Sequence, residues 1–202
     1  MTIRTIAAIA VTMLMTGTAS AASFVFDGSF RKDNSKASFS FFLRDASTVT
    51  LRSLGYAGGT SSSGTTVARG GFDSYLSLYD ASGALIGEND DGFNAPLDAV
   101  TNQGADAFVS RLLSAGHYTV FLTQYENVGP LTLPGAFRFD TEPNFANGFV
   151  DFYSDTRTGS FALDISGVTN AAVVPEPASW AMLVSGFGLV GAAMRRRGQV
   201  AA

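Results

Sequence analysis

The sequence contains no cysteine and a single histidine, His117. Without cysteine there is no disulfide, no thiolate nucleophile and no thiolate metal site. One imidazole excludes the multi-histidine zinc motifs, H-E-x-x-H among them. A serine triad would have to use His117, yet no G-x-S-x-G elbow accompanies it, and "GGTSSSG" has the wrong spacing. Phosphate loops of the GxxxxGK type are also missing. Charge is scarce, at 15 % of residues. Between Phe24 and Ile165 no apolar stripe at helical spacing persists for several turns; a short helical turn near Ala95 to Ala107 is the most that could occur. These absences point to a protein that is not an enzyme. The remaining catalytic arrangement is a glycosidase-like pair of acids from distant positions, such as Asp90 with Asp140 or Asp151, and nothing in the spacing selects it.

What the chain does have is glycine and phenylalanine, 22 and 17 of them in 202 residues. That length suits one domain plus processing segments. Apolar residues alternate in "SFSFFL", "TVTLRSL", "YLSLYD", "HYTVFLTQ" and "SFALDIS". Alternation places Phe39, Phe41 and Leu43 on one face, Val49 with Leu51, and Leu76 with Leu78. It does the same for Tyr118, Val120 and Leu122, and for Phe161, Leu163 and Ile165. Turn chemistry separates these runs. Tyr56 to Gly71 reads as a long Gly/Ser/Thr hairpin or loop, and "DASG" (Asp80 to Gly83) as a tight turn in which Asp80 accepts nearby amides. The expectation is an all-β fold, a β-sandwich or jelly roll of about eight or nine strands.

The two ends read differently. Arg4, an apolar run from Ile6 to Met15 and the small-residue site Ala19-Ser20-Ala21 form a secretory signal peptide, with cleavage at Ala19 and Ala21 by signal peptidase after engagement of the export machinery. Near the C-terminus, Ala178 to Met194 holds 17 uncharged residues. As a helix this run rises about 25 Å, at the lower limit for a membrane span. Trp180 suits one interface, and Arg195, Arg196 and Arg197 should remain cytoplasmic. The expected organisation is a signal peptide at 1–22, a β-sandwich domain at 23–170, a linker with Pro175, Glu176 and Pro177 at 171–178, and a transmembrane helix with its arginine cluster at 179–197. Of the 13 basic residues, Arg4 and the three tail arginines lie in these ends, leaving nine against 17 acidic ones. Such an acidic domain repels nucleic acid and bare anionic membrane, and suits cations or neutral polysaccharide.

The stretch "PEPASWAMLVSGFGLVGAAMRRR" resembles the PEP-CTERM sorting domain: Pro175-Glu176-Pro177, an apolar helix, then arginines. The resemblance implies export, transient anchoring in the inner membrane and recognition by an exosortase. It also implies cleavage near Pro175-Glu176-Pro177 and delivery to the surface or exterior of a Gram-negative bacterium that makes exopolysaccharide. "FDSYLSLYDASGALIGENDDG" with "LLSAGHYTVFLTQY" is similar to bacterial pre-peptidase C-terminal domains, small β-sandwiches of secreted proteins, some of which bind calcium.

From Gly71 to Ser110 there are seven acidic residues and no lysine or arginine. Clustered carboxylates suit Ca²⁺, which takes six to eight oxygens, and Asp73, Asp90 and Asp91 are the candidate ligands. The order is not that of an EF-hand. The plainer reading is a solvated turn whose Asp and Asn side chains bind local amides. Phe93, Tyr125, Phe145, Phe149 and Tyr153 could stack on sugars or pack in the core. The leading functional expectation is a non-catalytic structural or interaction role in the extracellular matrix, with calcium bracing the acidic loops. The alternative is a calcium-assisted module for exopolysaccharide, and a secreted hydrolase comes last.

Overall fold

A computed structural model describes residues 21–141 and 149–174. The signal peptide through Ser20, Phe145, and everything from Pro175 onward, including the apolar tail and Arg195–Arg197, lie outside the described residues. Among the described residues there is no α-helix, and the strands are β1 (Ala22–Ser29), β2 (Lys36–Leu43), β3 (Ser47–Ser53), β4 (Gly59–Thr60), β5 (Thr66–Val67), β6 (Ser74–Tyr79), β7 (Leu85–Asn89), β8 (Phe108–Leu113), β9 (Gly116–Gln124), β10 (Phe149–Val150), β11 (Thr156–Arg157), β12 (Ser160–Val168) and β13 (Asn170–Val173). Nine of them form two antiparallel sheets, ordered β1-β12-β3-β8 and β13-β2-β9-β6-β7. The two-residue strands pair as two small hairpins, β4-β5 and β10-β11. The expected count of eight or nine is therefore the count of strands in the two sheets.

The core lies between the sheets and follows the alternation in the sequence. Phe39, Phe41, Leu43, Leu76, Leu78, Val120 and Leu122 from one sheet join Val49, Leu51, Val109, Leu163 and Ile165 from the other. Each fully buried side chain of this kind contributes about 1.5–3 kcal/mol, so the interior can hold the fold without a disulfide.

Two strands are buried on both faces, which alternation alone does not anticipate. All six residues of β6 are buried. Its outer face is covered by the segment after β9: the Tyr79 hydroxyl donates to the Pro130 carbonyl at 2.8 Å, and Phe121 packs between Tyr79 and Phe137. In β12, Asp164 faces away from the core yet is 3 % exposed. The β4-β5 arm covers it: the Ser62 amide and Arg52 Nη2 donate to Asp164 Oδ2 at 2.8 and 2.9 Å.

The domain ends later than its sequence suggests. Ala171–Val173, expected within the linker, continue the sheet as β13, with Val173 opposite Phe39. The Val174 amide then donates to the Ser38 carbonyl at 2.7 Å. The segment is small and apolar, so it reads as a spacer; edge pairing with β2 makes it a strand.

Register places the chain's turns at two ends. At one end lie the end of β1 and the start of β12 (Ser29 opposite Ser160), the start of β2 and the end of β9 (Lys36 opposite Thr123), and the end of β7 (Asn89 opposite Leu76). The same end holds the end of β3 and the start of β8 (Arg52 opposite Phe108). Ser53 and Ser74, one from each sheet, meet there at 2.6 Å between hydroxyls. The chain also leaves β13 toward this end. At the other end are Ala22, opposite Val168, and the β8-β9 turn.

Candidate functional site

The end at which the chain leaves β13 gathers most of the acidic residues. Its foundation is Asp106, which is fully buried. Its Oδ1 accepts from Ser53 Oγ at 2.8 Å and the Tyr56 amide at 3.1 Å, and Oδ2 accepts from the Ala57 amide at 2.8 Å. Burial pushes the carboxyl's pKa up, and these donors partly offset it. Asp106 thus ties the start of the β4-β5 arm to the loop before β8.

A second buried network joins three loops around Arg157. Its Nε donates to Asp151 Oδ2 at 2.8 Å and its Nη1 to Asp98 Oδ2 at 3.1 Å. Asp98 also receives Arg69, with Nη2 to Oδ2 at 2.7 Å, and the amides of Val100 and Thr101. Burial works against the Asp98 charge, but the two arginines and the amides outweigh it and hold the carboxyl well below its usual range. At Asp151 burial is likewise outweighed, by the Asp155 amide, the Tyr56 hydroxyl and Arg157. This is a fully satisfied internal ion network, which welds the loops rather than offering a free acid.

Asp73 is the exception. It is 3 % exposed, and its Oδ1 has no hydrogen-bond partner. Burial, then the charge of Asp91, push its pKa up to about 8; Asp151 and Asp90 add to the effect, and the Phe152 backbone N–H opposes it. Asp91 is itself raised, by desolvation and by Asp90. Asp90 and Asp91 are exposed, and the Asp90 carboxylate accepts the Asp91 amide at 2.9 Å. So the expected trio shares one end of the fold and one electrostatic field. It is not gathered as a coordinating cage: among the described residues no three acidic or histidine side chains group as a metal would require.

The remaining candidates separate by role. Asp80 caps its turn as expected, accepting the Ser82 and Ala84 amides at 2.9 and 3.1 Å, while Gly83 has φ 83°. Asp140 pairs with Lys36 at 2.5 Å. His117 lies at the opposite end, its ring 4.7 Å from that of Phe42. Of the candidate sugar-stacking aromatics, Phe149 is core, stacked on Phe72 at 4.9 Å. Phe93 and Tyr153 are exposed, joined by Phe152, which the sequence did not single out. The sequence also gave no sign of a cleft of about 340 Å³ between the outer face of the β1/β12 sheet and the β4-β5 arm, lined by Asp27, Thr65, Thr66, Ser160 and Phe161 among others.

Comparison with protein families adds one decisive feature. Residues 173–197 match the PEP-CTERM protein-sorting motif. The chain carries a PEP-CTERM sorting signal. Such a signal is recognised by an exosortase and implies export, membrane-anchored transit and a cell-surface fate. Pro175, Glu176, Pro177 and Arg195–Arg197 all fall inside the match, which begins at Val173, the last residue of β13. The match therefore overlaps the last residue of the last strand. No curated protein matches the chain.

Proposed function

We propose that this exported, exosortase-processed chain delivers its β-sandwich to the cell surface or extracellular matrix as a non-catalytic structural or interaction module. Calcium braces its acidic end. The observation that carries the calcium part is the buried, unpartnered Oδ1 of Asp73, set in the field of Asp91, Asp90 and Asp151. A hard cation beside it, completed by backbone carbonyls and water, would give that oxygen a partner and relieve the mutual repulsion. The non-catalytic part is supported by the internal pairing of Asp98, Asp151 and Asp140, which leaves none of them free to act on a substrate.

The test is a calcium titration of the secreted protein followed by thermal melting. A specific ion raises the melting temperature with saturation, and Asp73→Asn abolishes the rise. A melt indifferent to calcium would remove the ion from this reading.

The cleft under the β4-β5 arm favours a second reading, a module for neutral exopolysaccharide. Val25 and Val67 offer apolar surface, while Asp27, Thr65, Thr66 and Ser160 offer partners for sugar hydroxyls. Pull-down on matrix polysaccharide, lost in Asp27→Ala, would support it; equal retention of the variant would count against it.

A further inference from the structure

We propose that the end of the domain from which the chain leaves β13 is a membrane-facing surface, and that its exposed apolar side chains rest on the bilayer while the tail is anchored. The inference rests on the reading that the sorting tail crosses the membrane. Val174, the last described residue, is held to the sheet through its bond to Ser38. Three residues, 175–177, separate it from the uncharged run that should enter the bilayer, which begins at Ala178. Even fully extended, three residues reach only about 11 Å. The domain must therefore stand close to the membrane, on the end toward which β13 points.

Most of the exposed large apolar side chains lie at that end, although Leu112 and Leu131, at 71 % and 80 % exposure, lie away from it. Phe93 is fully exposed, and Leu97 and Val100 follow it at 57 % and 73 % exposure in the loop after β7. Phe152 and Tyr153, at 74 % and 46 %, stand at the turn between β10 and β11. The buried bond from Arg157 Nη1 to Asp98 Oδ2 ties the two loops together, so the five side chains belong to one tip. From β13 across to β7 the sheet takes four inter-strand steps, roughly 19 Å. The tip thus shares the end of the sandwich from which the chain leaves, across the sheet from β13. Tyrosine is favoured at the membrane–water interface, and phenylalanine and leucine can bury apolar area at the headgroup boundary. The same end carries Asp90, Asp91 and Asp155, which oppose contact with anionic lipid. The tether resolves this conflict: it raises the effective concentration of the tip at the surface, so a contact too weak for a free domain forms while the chain is anchored. Cleavage of the tail removes the tether and releases the tip.

The natural absence of cysteine allows a direct test. Full-length chain is reconstituted in phosphatidylcholine vesicles containing headgroup spin-labelled lipid, with a fluorophore on Phe93→Cys, Phe152→Cys or Ser114→Cys. Ser114 is exposed in the β8-β9 turn at the opposite end. The expected result is quenching several-fold greater at positions 93 and 152 than at 114. Equal quenching at all three, or greater quenching at 114, overturns the proposal. If the full-length chain does not float with the vesicles, the anchored-tail reading fails and this proposal fails with it. If it floats but positions 93 and 152 stay unquenched, only the proposed contact is lost.

Discussion

The guanidinium carbon of Arg157 lies 3.8 Å from the centre of the Tyr56 ring. The phenol covers the flat face of the cation, while the cation's edge reaches Asp151 and Asp98. Three loops that share no backbone hydrogen-bond ladder are fastened at this point.

Replacing Arg157 with methionine should therefore be severe. It leaves Asp151 with no cationic partner and Asp98 with Arg69 alone, and breaking one partner of such a network costs about 3–5 kcal/mol. Urea denaturation should show a large fall in the midpoint. Arg157→Lys should recover only part of it, since one ammonium cannot serve both carboxylates and also lie flat on Tyr56.

Asp73 should make the calcium-free domain more stable at mildly acidic pH. Its pKa is about 8 in the folded state against 3.8 for the free side chain. The folded state thus holds a proton that the unfolded state releases, and stability falls as pH rises through that window. The contribution is complete below about pH 4 and lost by about pH 8 and above. Asp98 and Asp151, whose carboxyls are held low, work in the opposite sense and erode stability only in stronger acid. Melting temperatures in chelator should rise from pH 8 to pH 5, by about 2–4 °C per kcal/mol for a domain this size. Asp73→Asn should flatten that rise, and a parallel shift of both proteins would refute the assignment.

The strand reading of the sequence succeeded where one face of a strand meets the core, as at Phe39, Phe41 and Leu43 or at Val120 and Leu122. It could not show that β6 and β12 are covered on both faces, because the covering segments come from elsewhere in the chain. The acidic middle drew attention to Asp73, Asp90 and Asp91, and the fold does bring them to one end. Arg157 went unnoticed, since two of its partners, Asp98 and Tyr56, are 59 and 101 positions away. Arginine in "DTRTG" carries no local sign of burial. β13 was missed for the opposite reason: Ala171, Ala172 and Val173 have too little pattern to show a strand, and the proline after them suggested a linker.

Asp164 should govern the β4-β5 arm. It accepts the Ser62 amide and hydroxyl and pairs with Arg52. Asp164→Ala leaves Arg52 and the Ser62 amide without this partner and should cost about 1–3 kcal/mol. Hydrogen exchange should accelerate in Ser61–Thr66 more than in the sheets. If the exchange rises equally everywhere, the arm is not held by this contact.

Processing should depend on the residues next to the sheet. In exosortase-positive cells, replacing Pro175-Glu176-Pro177 with alanines should leave the full-length chain in the membrane fraction. Immunoblots of membrane and medium would show this directly, and normal release would refute the role given to these residues.

The place of β12 bears on when the domain can fold. β1 and β3 are not paired to each other; both are paired to β12, which begins only at Ser160. A chain emerging from its N-terminus therefore carries an incomplete first sheet until nearly all of the domain has crossed. The second sheet gains its last edge from β13, immediately before the sorting signal. Long-range pairing of this kind is slow and leaves strand edges open in the meantime. Closure of the sandwich and emergence of the sorting signal are consequently near-simultaneous events.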